Sequence, residues 1–162
     1  MSRAERHAGG RDLRAGSAAA GRVSEAVQTP ETDRASRRRD LPPEASSPGR
    51  ARAVIRSACL AWGIDGEMRD DAELVVSELV ANVVDHAGTA CTLDVSVNDE
   101  GLLIEVRDFY PCPPPQPGPV DQCSYRGRGL QVVAAVSTQW GVTTFHDGKS
   151  VWALLSTRSP KA

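Results

Sequence analysis

The chain has 162 residues, which suits one domain and leaves little room for a second. Nineteen Lys and Arg against 21 Asp and Glu give a formal net charge of −2, which argues against a globally basic protein that coats nucleic acid. No apolar run approaches the ~18 residues needed to cross a bilayer, and charges at Arg3, Glu5, Arg6, Arg11, Asp12 and Arg14 do not suit a secretory leader, so a cytoplasmic protein is expected.

Residues 1–40 are rich in Arg, Ala, Gly and Ser and have no aromatic residue, so they read as a disordered tail with too little apolar surface to offset its ordering entropy. The Arg37-Arg38-Arg39 cluster reads as part of this solvated tail, with an acidic partner or nucleic acid as the rarer alternative. A folded unit is expected over 41–157, followed by a short tail at 158–162. Ser46-Ser47-Pro48 and Gly63 bracket a first helix over about 49–62, with Val54, Ile55, Ala58, Cys59 and Trp62 at helical spacing. Asp70-Asp71 open a second helix that runs to His86-Ala87 and stops at Gly88.

From Thr89 the period changes to two. Cys91, Leu93, Val95 and Val97 alternate with polar residues, and a turn at Asn98-Asp99-Glu100-Gly101 leads into a returning strand, Leu102 to Asp108. Residues 109–126 form a Pro-rich segment of lid length. Gly127-Arg128-Gly129 then opens a short helix over about 130–138, and 140–145 with 150–155 close the chain as a second hairpin. The order α-α-β-β-lid-α-β-β points to an α/β fold (an α+β two-layer sandwich) with helices on one face of a sheet. Cys59, Cys91, Cys112 and Cys123 form no CxxC pair; the first two read as small buried hydrophobes and the last two as free thiols of the lid.

Three signals carry chemistry. On the second helix, at roughly 100° per residue, Glu78, Asn82, Asp85 and His86 fall on one face, opposite Val76, Leu79, Val80, Val83 and Val84. An ordinary amphipathic helix would also show a polar face, but Asn is a poor residue for a helix interior. Asp108 ends an apolar strand beside the lid, where a carboxylate could accept a hydrogen bond from a base amino group. Gly127 and Gly129 at a helix start would let backbone N–H groups approach a phosphate.

In order and spacing the chain resembles the GHKL (histidine kinase-like) ATPase superfamily. Glu78-Leu-Val-Ala-Asn82-Val-Val-Asp-His86-Ala looks like its N box, Asp108 like its adenine-side box and Gly127-Arg128-Gly129-Leu130 like its second glycine box. The leading helices, Trp140-Gly141 and the ending Lys149-Ser150-Val151-Trp152 are closest to anti-sigma-factor serine/threonine kinases. The resemblance implies a mainly antiparallel, Bergerat-type sheet. It implies Mg²⁺ on Asn82, Glu78 as general base, Asp108 on the adenine amino group, Ser150 assisting at the base, and Gly127, Arg128, Gly129 and Leu130 around the phosphates.

The same resemblance implies an ATP-binding regulator that sequesters a sigma factor and phosphorylates Ser or Thr on a small antagonist (anti-anti-sigma) protein. It implies no direct nucleic-acid or membrane partner and leaves room for a homodimer. The alternative is a non-catalytic partner-binding module that keeps the fold. One departure stands out: the family's Asp-x-Gly is Asp108-Phe109-Tyr110 here, with bulk in the place of glycine.

Overall fold

The alternation of Cys91–Asn98 and Gly101–Asp108 places one side chain in two on each face, and these two strands form the centre of the sheet (β2 and β3). They are paired from Cys91↔Asp108 to Asn98↔Gly101 around the tight turn at Asp99-Glu100. The computed structural model describes residues 35–111 and 128–156, all within one unit, Glu31–Ala162. Its elements are β1 (Ser36–Leu41), α1 (Ser47–Trp62), α2 (Gly66–Asn82), β2, β3, α3 (Arg128–Val136), β4 (Gln139–Phe145) and β5 (Gly148–Leu155). The strands form one sheet in the order β1-β2-β3-β5-β4, and every neighbouring pair is antiparallel. The two-layer expectation holds, with the sheet wholly antiparallel over the described residues.

One face of the sheet supplies Leu93, Val95, Leu102, Ile104, Val106, Val151 and Ala153 to the core, where they meet Ile55, Val75, Val76, Leu79 and Val80 of the helices. Each fully buried Val, Leu or Ile adds about 1.5–3 kcal/mol relative to exposure, so this single interface holds the layers together. Helix α1 starts two residues earlier than expected, at Ser47. Ser47 is buried and its hydroxyl donates to the Pro42 carbonyl at 2.6 Å, and Pro48 sits in the first turn. Gly63, at φ 68°, ends it as anticipated. Arg52 Nη1 donates to Ser77 Oγ at 3.0 Å, and Arg56 is paired with Glu73, tying α1 to α2.

Residues 36–40 correct the expected boundary of the tail, whose residues 1–34 lie outside the described residues. Ser36–Leu41 pairs with β2 from Ser36↔Ser96 to Leu41↔Cys91. The strand is exposed except at Leu41, so it has no apolar alternation to betray it; the backbone ladder and the Thr92 hydroxyl donating to Asp40 at 2.9 Å hold it. Among the described residues it forms one border of the sheet. The other border, β4, is largely exposed, with Trp140, Val142 and Phe145 reaching solvent.

Candidate functional site

Glu78 and Asn82 lie one turn apart near the C-terminal end of α2, on the side away from buried Leu79 and Val80. The first glycine of α3 is packed against them. A Cβ added to Gly129 would come within 2.8 Å of Glu78 Oε2 and 3.4 Å of both amide atoms of Asn82. Only glycine lets the N-terminal turn of α3 come this close to a carboxylate and an amide. Leu130 is half-buried and packs against the core, which anchors α3, while Arg128 is exposed. Gly127, Cys112 and Cys123 lie outside the described residues.

After Asn82 the helix widens into a π-helical turn, Val83–Ala87, and ends at Gly88 with φ 61°. Such turns shift the phase of the side chains. Asp85 and His86 accordingly leave the α-helical spacing that grouped them with Glu78 and Asn82, and both are exposed. Thr89 follows at once, and its Oγ1 accepts the Phe109 N–H at 3.4 Å. Cys91 pairs with Asp108. The end of β3 therefore lies at the same end of the domain as the end of α2.

Asp108 is only 1% exposed and points to the helix side of the sheet, in register with Ile104 and Val106. Its Oδ1 accepts two backbone N–H groups, from Tyr110 and Lys149, each at 3.2 Å. Its Oδ2 is buried and accepts no hydrogen bond, and the Lys149 ammonium stands 3.4 Å from it. Gly148 makes this junction possible, because a Cβ there would lie 2.1 Å from the Asp108 carbonyl oxygen. Burial, with the Asp108 and Asp40 charges adding to it, pushes the neighbouring Cys91 thiol up to about 11.

The place expected for Ser150 needs correction. Ser150 pairs with Arg107, so it faces the side of the sheet opposite Asp108, where its hydroxyl donates to Glu105. Lys149, paired with Asp108, is the β5 residue that reaches the carboxylate. Counting back by twos from Leu155, Ala153 and Val151 would have found it.

Of the two bulky residues after Asp108, Phe109 packs beside Arg107, while the Tyr110 N–H stays on Asp108. The Arg107 guanidinium lies 5.5 Å from the Phe109 ring and 4.3 Å from the Phe145 ring, and Arg107 Nη2 pairs with Asp147 at 3.0 Å. These groups gather on the outer face of the sheet. Nearby, the Trp152 ring covers Gly141, where a Cβ would come within 2.8 Å of it.

A concavity of about 710 Å³ lies between β1 and α1, lined by Arg37, Arg38, Arg39 and Arg50 together with Val54 and Ser57. Among the described residues, no cluster of three or more His, Cys, Asp or Glu could hold a metal, and no helix is long and apolar enough to cross a membrane.

A search of curated proteins finds no match to the chain. The family model of the histidine kinase-like ATPase domain matches residues 41–154, which span the helices, the central hairpin and the closing hairpin. With that match over most of its length, and with a buried carboxylate and a polar helix end at the same end of an antiparallel sheet, the chain belongs to the histidine kinase-like ATPase family, whose members bind ATP.

Proposed function

We propose that this domain is a Mg²⁺-ATP-dependent protein kinase of the anti-sigma-factor type. It sequesters a sigma factor and phosphorylates a Ser or Thr of a small antagonist protein in the cytoplasm. The observation that supports catalysis is the packing of Gly129 on Glu78 and Asn82, which gathers a carboxylate, an amide oxygen and a helix N-terminus in one place.

The residues suit the nucleotide. The buried Oδ2 of Asp108 is an acceptor without a hydrogen bond, as an adenine amino group requires. Asn82 offers an amide oxygen for Mg²⁺. One protein ligand is enough there, because Mg²⁺ in such sites takes most of its ligands from phosphate oxygens and water. When bound, ATP supplies the phosphoryl group.

The part of this chain is positioning and charge. Asp108 would orient the base, Asn82 would hold the metal, and Glu78 would take the proton from the attacking hydroxyl. Gly129 would give the phosphates access to the start of α3, with Arg128 next to it.

The test is phosphate transfer from ATP to the antagonist, with sigma-factor capture followed in parallel. Glu78→Gln should leave ATP binding intact and lower transfer by about 10²–10⁴-fold. Asn82→Ala should lower Mg²⁺-dependent binding and transfer together. Equal transfer by wild type and Glu78→Gln would remove the general base from the scheme. Partner capture without any transfer by the wild type would establish the non-catalytic binding module instead.

A further inference from the structure

A buried lysine is costly unless something repays its desolvation. Lys149 is 8% exposed and sits beside the carboxylate that the proposed function assigns to the base. The two residues are directly paired on adjacent strands and project to the same face of the sheet. The carboxylate cannot turn freely, because two backbone N–H groups hold its Oδ1. Its Oδ2 and the ammonium, 3.4 Å apart, present a buried acceptor beside a buried donor.

The base-pairing edge of adenine carries the complementary pair: an amino donor at N6 beside a ring acceptor at N1. We propose that Lys149 is a second base-reading residue. Asp108 Oδ2 accepts from N6, and the Lys149 ammonium donates to N1. An ammonium has three protons to direct, so it can keep its attraction to Asp108 while it donates to the ring nitrogen. In the bound state the ammonium, already beside Asp108, would add a charged hydrogen bond to a ring acceptor away from water.

The inference rests on the assignment of ATP to this pocket, and calorimetry with three nucleotides separates the two claims. The probes are ATP, 1-deaza-ATP, in which N1 is replaced by C–H, and purine riboside triphosphate, which lacks the amino group. Wild-type protein should bind ATP about 10–100-fold more tightly than 1-deaza-ATP, the range for a hydrogen bond to a charged group. Lys149→Met should lose a similar factor for ATP and no longer distinguish ATP from 1-deaza-ATP. It should still prefer ATP over the purine riboside analogue, because Asp108 remains.

Equal binding of ATP and 1-deaza-ATP by the wild type would overturn the role of Lys149 and leave the ATP pocket standing. Tighter ATP binding by Lys149→Met would also overturn it, by showing that the lysine obstructs the pocket. Absence of ATP binding by the wild type would instead remove the pocket assignment itself. Preference for GTP would reassign the pair to guanine, whose O6 and N1–H offer the same two functions in the opposite sense. Should Lys149→Met fail to fold, the comparison of nucleotides on the wild type decides the matter alone.

Discussion

The two ends of the site are built differently. At the base end, Asp108 and Lys149 come from adjacent strands, their backbones locked by the ladder and by the close approach of Gly148, and both side chains are buried. At the phosphate end, Glu78 and Asn82 stand half-exposed on the last turns of a helix that widens immediately afterwards, and α3 completes the group through one glycine. On the proposed function, base recognition is thus part of the core, and its residues would serve stability as well as binding. Phosphate chemistry would be attached to the rim of the core, where side chains can move without unfolding anything.

The sharpest way to break this contrast is Asp108→Ala. It leaves the Lys149 ammonium buried without its carboxylate, so unfolding by denaturant should be easier by about 3–5 kcal/mol. ATP affinity should fall with it. Substitutions at Glu78 and Asn82 should move the same unfolding curve by less than about 1 kcal/mol. A Glu78→Gln protein as destabilised as Asp108→Ala would show that both ends belong to the core.

A second variant sharpens the phosphate end. In Gly129→Ala the new methyl would meet Glu78 Oε2 at 2.8 Å, and the end of that flexible side chain can give way. Stability should hardly change, whereas transfer should drop by about 100-fold, the cost of misplacing a catalytic group by about 1 Å. ATP affinity should change much less than transfer.

The smallest effect lies beneath the base end, at Cys91. Its thiol is held protonated up to about 11, against an ordinary 9.0, because burial and the Asp108 and Asp40 charges oppose the thiolate. A raised value means that the folded state keeps the proton longer than the unfolded state. The protonated thiol therefore contributes fully below pH ~9, and stability declines as pH rises from ~9 towards 11. Cys91→Ala should flatten this part of the difference between wild-type and variant unfolding midpoints, read by denaturant titration at several pH values.

The helices and both hairpins were legible in the sequence because their apolar residues repeat at 3.6 or 2.0 and their ends carry Gly63, Gly88 and the turn at Asp99-Glu100. The placing of Glu78 and Asn82 on one helix face was legible too, whereas Gly129 joined them only through the family resemblance. What escaped depends on tertiary context. β1 is stabilised by its pairing with β2 and not by its own pattern, so three consecutive arginines looked like tail. The π-helical turn leaves no mark in hydrophobic spacing, and so Asp85 and His86 were grouped with residues from which the turn separates them.

Ser150 and Lys149 differ in kind from these misses. The period of β5 already assigned Lys149 to the inner face, and the family position of a hydroxyl residue drew attention to Ser150 instead.

The arginines of β1 have a consequence for how the molecule behaves in concentrated solution. An open strand edge is a template for the edge of another copy. Along β1, approach of a second copy in the same orientation would set guanidinium groups against guanidinium groups, because Arg37, Arg38 and Arg39 follow one another without interruption. The opposite border, Gln139–Phe145, has no charged residue and exposes Trp140, Val142 and Phe145. The sheet is therefore colloidally lopsided: one border repels its own kind, and added salt weakens that repulsion, while the other border has no electrostatic guard for salt to remove.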